Sequence, residues 1–164
     1  MAAGKTYDQL FTTTLTSAVA SLTISSIPSA YTDIIMVFSG SASASDNLYV
    51  RFNSDTATNY GVTELYGNGT TASASRRTSF NAALIFDGGP STTQSNTILH
   101  LMNYSNTTTY KTGLARANDS SLYVNANVIS WKSTAAINSI TIGLYSGATM
   151  TVGSSVTLYG IAAA

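Results

Sequence analysis

The chain offers few groups able to do chemistry: one histidine, no cysteine, seven acidic and seven basic residues among 164. Nucleophilic catalysis would need His100 beside an activated hydroxyl. That histidine lies in the alternation Ile98, His100, Met102, opposite Leu99 and Leu101. On a strand this places it among apolar neighbours, and it reads as a partly buried structural residue. Serines are abundant, but no G-x-S-x-G elbow presents one to a base. The acids Asp8, Asp33, Asp46, Asp55, Glu64, Asp87 and Asp119 are spread singly. Most stand in turn sequences, where an aspartate bonds its own backbone, and no pair suggests general acid and base work.

The same reasoning applies to binding motifs. Asn53-Ser54-Asp55-Thr56 with Asn59 carries oxygen ligands for Ca²⁺ but lacks the acid density and the closing Glu of a calcium loop. The absence of cysteine excludes disulfides and thiolate metal sites. No metal or cofactor is expected. Arg76-Arg77 is the one adjacent pair of like charges, and a chain of zero formal net charge lacks the basic stripe that nucleic acid requires. A solvated loop or a contact with an acidic neighbour is expected there. Gly67-Asn68-Gly69 has neither the following Lys nor the helix of a phosphate loop and reads as a hairpin turn. Sequons begin at Asn68, Asn103, Asn106 and Asn118, as chance produces in a chain so rich in Asn, Ser and Thr. Tyr104 and Tyr110 with Asn103 and Asn106 form a candidate sugar-stacking surface, the alternative being rim or interface packing.

Composition says more than any motif. Only 9% of the residues are charged, while 24 serines and 25 threonines stand among the 164 residues. A free monomer of this size keeps itself dispersed with a charged surface, so this balance suits a fixed place in an assembly. At 44% hydrophobic with ten Tyr, five Phe and one Trp, the chain has apolar area enough to offset the entropy of ordering. The first eight residues carry no apolar signal region, and Ile34 to Phe38, the longest apolar run, is far too short for a bilayer-spanning helix. The expectation is a soluble protein made in a cytoplasm, with no membrane and no nucleic-acid partner.

The elements that must position these residues have a period of two. Leu48, Val50 and Phe52 alternate with Tyr49, Arg51 and Asn53. Asp33 to Ser39 is a continuous apolar run, and further runs span 15–24, 80–86, 97–104, 108–114, 122–129, 137–145 and 156–161, separated by Gly, Pro, Asn and Asp turn signals. Nine or ten short strands without a helical period indicate an all-β fold, a single antiparallel β-sandwich. Residues 1–5 form a possible N-terminal arm and 6–164 the domain. Trp131, Phe52, Ile140, Ile142 and Leu158 are expected in its core. Tyr7, Leu10 and Phe11 set three large apolar side chains beside the arm and are the candidate assembly interface, either as a first strand or docked on a neighbour.

The C-terminal third, Trp131-Lys132-Ser133-Thr134-Ala135-Ala136-Ile137-Asn138-Ser139-Ile140-Thr141-Ile142 and then Val152-Gly153-Ser154-Ser155-Val156-Thr157-Leu158-Tyr159-Gly160-Ile161, resembles the small β-sandwich virion proteins of tailed bacteriophages, cyanophages among them. Three further segments are similar to that family: Ser26 to Ile35, Val50 to Asp55 leading to Asn59-Tyr60, and Thr109 to Thr112. These segments are signatures of a fold, so no functional residue carries over. The resemblance implies a jelly-roll-like, non-enzymatic structural component on the outside of the virion, assembled in the host cytoplasm. It implies a capsid decoration, or cement, protein that bridges major capsid protein subunits as a homotrimer. The alternative is a tail-fibre or receptor-binding module that recognises cell-surface glycan.

Overall fold

The computed structural model describes residues 6–162; the proposed arm, residues 1–5, lies outside them. The described chain is all-β, with twelve strands and no helix. They are β1 (Tyr7–Thr14), β2 (Ser21–Ile24), β3 (Asp33–Gly40), β4 (Leu48–Phe52), β5 (Tyr60–Gly67), β6 (Ala72–Phe80), β7 (Ala83–Phe86), β8 (Ser95–Met102), β9 (Lys111–Asp119), β10 (Val124–Trp131), β11 (Ile140–Leu144) and β12 (Ser155–Ile161). They pair antiparallel into an eight-stranded sheet, β1-β12-β3-β8-β9-β10-β5-β6, and a four-stranded sheet, β2-β11-β4-β7.

The strand order contains a jelly roll with two insertions. Taken alone, β1-β12-β3-β8 and β2-β11-β4-β7 are two four-stranded sheets, and every connection among these eight strands crosses between them except that from β4 to β7. That is the pair of Greek keys of a jelly-roll sandwich. The hairpin β5–β6 is inserted between β4 and β7, and the hairpin β9–β10 between β8 and β11. Both join the same edge, beyond β8, so one sheet doubles in width.

The core follows the alternation. In β3 the inward Ile34, Met36 and Phe38 are buried while Ile35 and Val37 are half-buried on the other face. Phe52, Ile140, Ile142, Leu158 and Trp131 are all buried, as their patterning predicts. Trp131 packs against Phe52 at 5.5 Å between ring centroids and stacks on Tyr60 at 6.3 Å. Its Nε1 donates to Asp55 Oδ2 at 2.7 Å, which satisfies the buried indole N–H.

Element boundaries differ from the sequence expectations in instructive places. The run 15–24 is a strand only over Ser21–Ile24; Leu15 and Val19 instead pair singly with Ser154 and Met150 in the loops. The run 80–86 is two elements, because the chain leaves the long sheet after Phe80 and enters the short one at Ala83, with Ser79 at φ 56° in the irregular end of β6 just before the crossing. All four residues of β7 are buried, since the widened sheet curls over this edge. Residues 7–14 and 60–67, where alternation is diluted by Thr and Gly, are full strands.

Candidate functional site

On the two inserted hairpins the usual alternation is turned inside out. Strand β10 directs Asn125 and Asn127 inward, together with Ile129 and Trp131, and leaves Val124 and Val128 outside, 54% and 53% exposed. In β5 Glu64 is buried and Leu65 is 62% exposed; in β9 Lys111 is buried and Leu114 is 45% exposed. Register joins these side chains into continuous rows. His100, Leu114, Val128, Thr63 and Arg76 face one another across five strands, and Ile98, Arg116, Ala126, Leu65 and Ala74 form the adjacent row. A shallow trough of about 640 Å³ runs between Leu65, Gly67, Ala72, Arg116, Val124 and Ala126.

Beneath that face the buried donors have specific partners, while the Oδ1 atoms of Asn125 and Asn127 accept no bond among the described residues. Asn125 Nδ2 donates to Glu64 Oε1 at 3.1 Å and to the Asp87 carbonyl at 3.3 Å, and Asn127 Nδ2 donates to the Leu84 carbonyl at 3.1 Å. Lys111 Nζ reaches the carbonyls of Thr109 and Thr134 at 3.0 and 3.2 Å, and burial pushes its pKa down. These bonds fix the register: a one-residue slip would bury the valines but strand the Asn, Glu and Lys partners.

A second feature lies at the rim between β5, β6 and the turn after β7. A recess of about 250 Å³ is lined by Glu64, Tyr66, Ser75, Arg77, Asp87 and Tyr123. Tyr66 and Tyr123 stack with centroids 5.7 Å apart, and Arg77 Nη2 pairs with Asp87 Oδ2 at 2.6 Å. Burial raises the pKa of Glu64; bonds from Ser75 and Asn125 pull it back, but the net shift is upward. Burial likewise raises that of Tyr123, reinforced by Glu64 and Asp87.

The residues singled out from sequence are placed as follows. His100 is half-buried on the outer face and bonds Asp33 Oδ2 through Nε2 at 2.9 Å, a structural pair. Arg76 and Arg77 lie on opposite faces of β6: Arg77 turns in to Asp87, and Arg76 stays on the outer face. Asp55 accepts from Ala57 N, Asn59 Nδ2 and Trp131 Nε1, and Asn53 bonds Ala136, Asn138 and Ser139, so the oxygens of this loop serve its own backbone and core. The candidate sugar surface is not formed: Tyr104 is fully buried with its hydroxyl donating to the Pro28 carbonyl, and Asn106 Oδ1 caps the N–H groups of Thr108 and Thr109. Of that set Tyr110 alone is an exposed aromatic. Tyr7, Leu10 and Phe11 belong to β1, paired with β12; Leu10 and Phe11 rest on this chain's own core, and Tyr7 packs edge-on against Tyr159 at 6.3 Å. Among the described residues no group of three His, Cys, Asp or Glu gathers to hold a metal ion, and no helix is long and apolar enough to cross a membrane.

The fold and this face define an all-β sandwich with a broad, sparsely charged outer sheet. No protein-family model and no curated protein matches the chain. Among solved structures it is similar to the galectin LEC-6 of Caenorhabditis elegans, at a TM-score of 0.39 and 10% identity, covering 93% of this chain and 96% of that one.

Proposed function

We propose that the chain is a non-enzymatic structural protein of a tailed-phage virion, a capsid decoration protein that bridges and stabilises neighbouring shell subunits. The observation that carries this reading is the inverted patterning of β9, β10 and β5. Four large aliphatic side chains stand outside while Asn, Glu and Lys are held inside. Exposing apolar area in register across strands is costly for a free monomer and is the normal state of an interface waiting for its partner. The segments quoted above as similar to phage virion proteins supply the setting. The hydroxyl-rich remainder of the surface is cheaper to desolvate than charges would be. The partners are a homotrimer of the chain and the major capsid protein, on the outer surface of the capsid.

Quantitative mass spectrometry of purified virions tests this: hundreds of copies per particle are expected, and a handful would move the protein to the tail. The rim recess favours one other reading, a glycan-binding tail module, because a stacked tyrosine pair beside Glu64, Asp87 and Arg77 offers an aromatic face with donors and acceptors. Glycan-array binding abolished by Tyr123→Ala, with low copy number, would select it.

A further inference from the structure

The zero net charge of this chain conceals an outer face, on β9, β10, β5 and β6, that carries cations and no carboxylate. All seven carboxylates are already hydrogen-bonded within the molecule. Asp8 accepts from Tyr31, Asp33 binds His100, Asp46 accepts from Ser146 N, and Asp55 from Trp131. Glu64 accepts from Ser75 and Asn125, Asp87 from Arg77, and Asp119 from Ser121. The basic residues divide differently. Arg51 bonds the Asn81 carbonyl, Arg77 pairs with Asp87 and Lys111 is buried on carbonyls. Arg76, Arg116 and Lys132 form no ion pair among the described residues. All three border the inverted face: Arg116 lies in the trough beside Leu65 and Val124, and Arg76 and Lys132 flank a second depression of about 320 Å³ next to Val128.

We infer that the outer face of β9-β10-β5-β6 docks a protein segment that alternates apolar side chains with carboxylates. The inference rests on the docking reading of this face given above and adds the chemistry of what covers it. Leu65, Leu114, Val124 and Val128 require apolar partners, and three unpaired cations interleaved with them require carboxylates, because a partner without them would desolvate each cation uncompensated. A second copy does not fit. Placed face to face it brings further cations and no carboxylate, because the outward positions of β9, β10, β5 and β6 carry none. A nucleic acid does not fit either, because three cations spread among aliphatic side chains make no phosphate-tracking stripe.

The test is a titration of the full-length, ¹⁵N-labelled chain followed by amide chemical shifts. The probes are a short peptide alternating valine and glutamate, its valine–lysine counterpart, and a thymidine oligonucleotide. The Val–Glu peptide should shift the amides of Leu65, Leu114, Arg116 and Val128, and the Val–Lys peptide should leave them in place. Arg76→Glu with Arg116→Glu, two exposed positions, should weaken the Val–Glu peptide about tenfold without changing the melting temperature. Equal binding of the two peptides, shifts confined to another face, or tighter binding of the oligonucleotide overturns the inference. Concentration-dependent dimerisation that broadens the same amides overturns it in favour of a second copy. Failure here, with normal occupancy of capsids, would leave the decoration role standing; success here, with no copies on the capsid, would remove the role and keep the surface.

Discussion

Replacing Trp131 by alanine removes the side chain that ties three elements of the core together. The indole is 3% exposed, sits 5.5 Å from Phe52 of β4 and 6.3 Å from Tyr60 of β5, and donates to Asp55 at 2.7 Å. Large-to-small substitution at such a site costs about 3 to 5 kcal/mol. The lost bond to a carboxylate places Trp131→Ala toward the upper end. For a chain of this size that corresponds to a fall in melting temperature of roughly 10 to 20 °C. Calorimetry or far-ultraviolet circular dichroism measures it, and a fall of less than about 3 °C would refute the packing argument. Trp131→Phe keeps most of the ring contact and isolates the hydrogen bond. Burial raises the pKa of Asp55, but bonds from Asn59, Trp131 and Ala57 outweigh it and hold the carboxyl below its ordinary 3.8. Its stabilisation is therefore present above pH 3.8 and lost as pH falls through the lower folded value. The penalty of Trp131→Phe should shrink in strong acid; a penalty constant from neutral pH into that range would show that the bond carries no charge-dependent part.

Three further outcomes are expected. Glu64 has the opposite sign: its folded pKa lies above the ordinary 4.5, so its contribution is full below that pH and is lost as pH rises through the folded value. Urea midpoints of Glu64→Gln should accordingly lose less stability than wild type between pH 4.5 and neutrality, and parallel curves would contradict the assignment. At Gly160 a Cβ would meet the Tyr31 ring at 2.5 Å, and Tyr31 in turn donates to Asp8 of β1, so Gly160→Ala should destabilise by about 1 to 3 kcal/mol and increase amide exchange in β1. Deleting residues 1–5 should leave a folded sandwich with impaired oligomerisation or capsid occupancy, whereas deletion through Phe11 also removes most of β1 and bares the edge of β12; wild-type occupancy of the shorter variant would remove any assembly role for the arm.

The sandwich was legible because the central strands carry strong local signals: the alternation of Leu48 to Phe52, the continuous apolar run within Asp33 to Ser39 and the core positions of β11 and β12 could be read directly. The functional face was not, for the same physical reason. Period two separates a strand into two faces but does not say which one is covered, and hydrophobicity assigns the valines of β10 to the inside. The Asn–Glu and Asn–carbonyl bonds that reverse this are long-range pairings, invisible locally; the signal present in the sequence was Val124, Ala126 and Val128 alternating with Asn125 and Asn127. Tyr104 misled in a similar way, since its neighbouring asparagines suggested an exposed loop while Pro28, far away in sequence, accepts its hydroxyl.

The position of β12 between β1 and β3 governs how the chain must fold. Among the described strands β1 has only β12 beside it, so it waits for a partner far downstream in the chain before its backbone groups can join the sheet. On the far side β5 pairs locally with β6, but that hairpin joins the sheet only through β10, across more than fifty intervening residues. Partners so distant in sequence make closure slow, and the sheet edge beside β3 stays open until β12 has been made. A nascent or truncated chain that stops short of β12 therefore presents two unpaired strand edges to its neighbours, and correct assembly depends on the sandwich closing upon itself before another chain closes it.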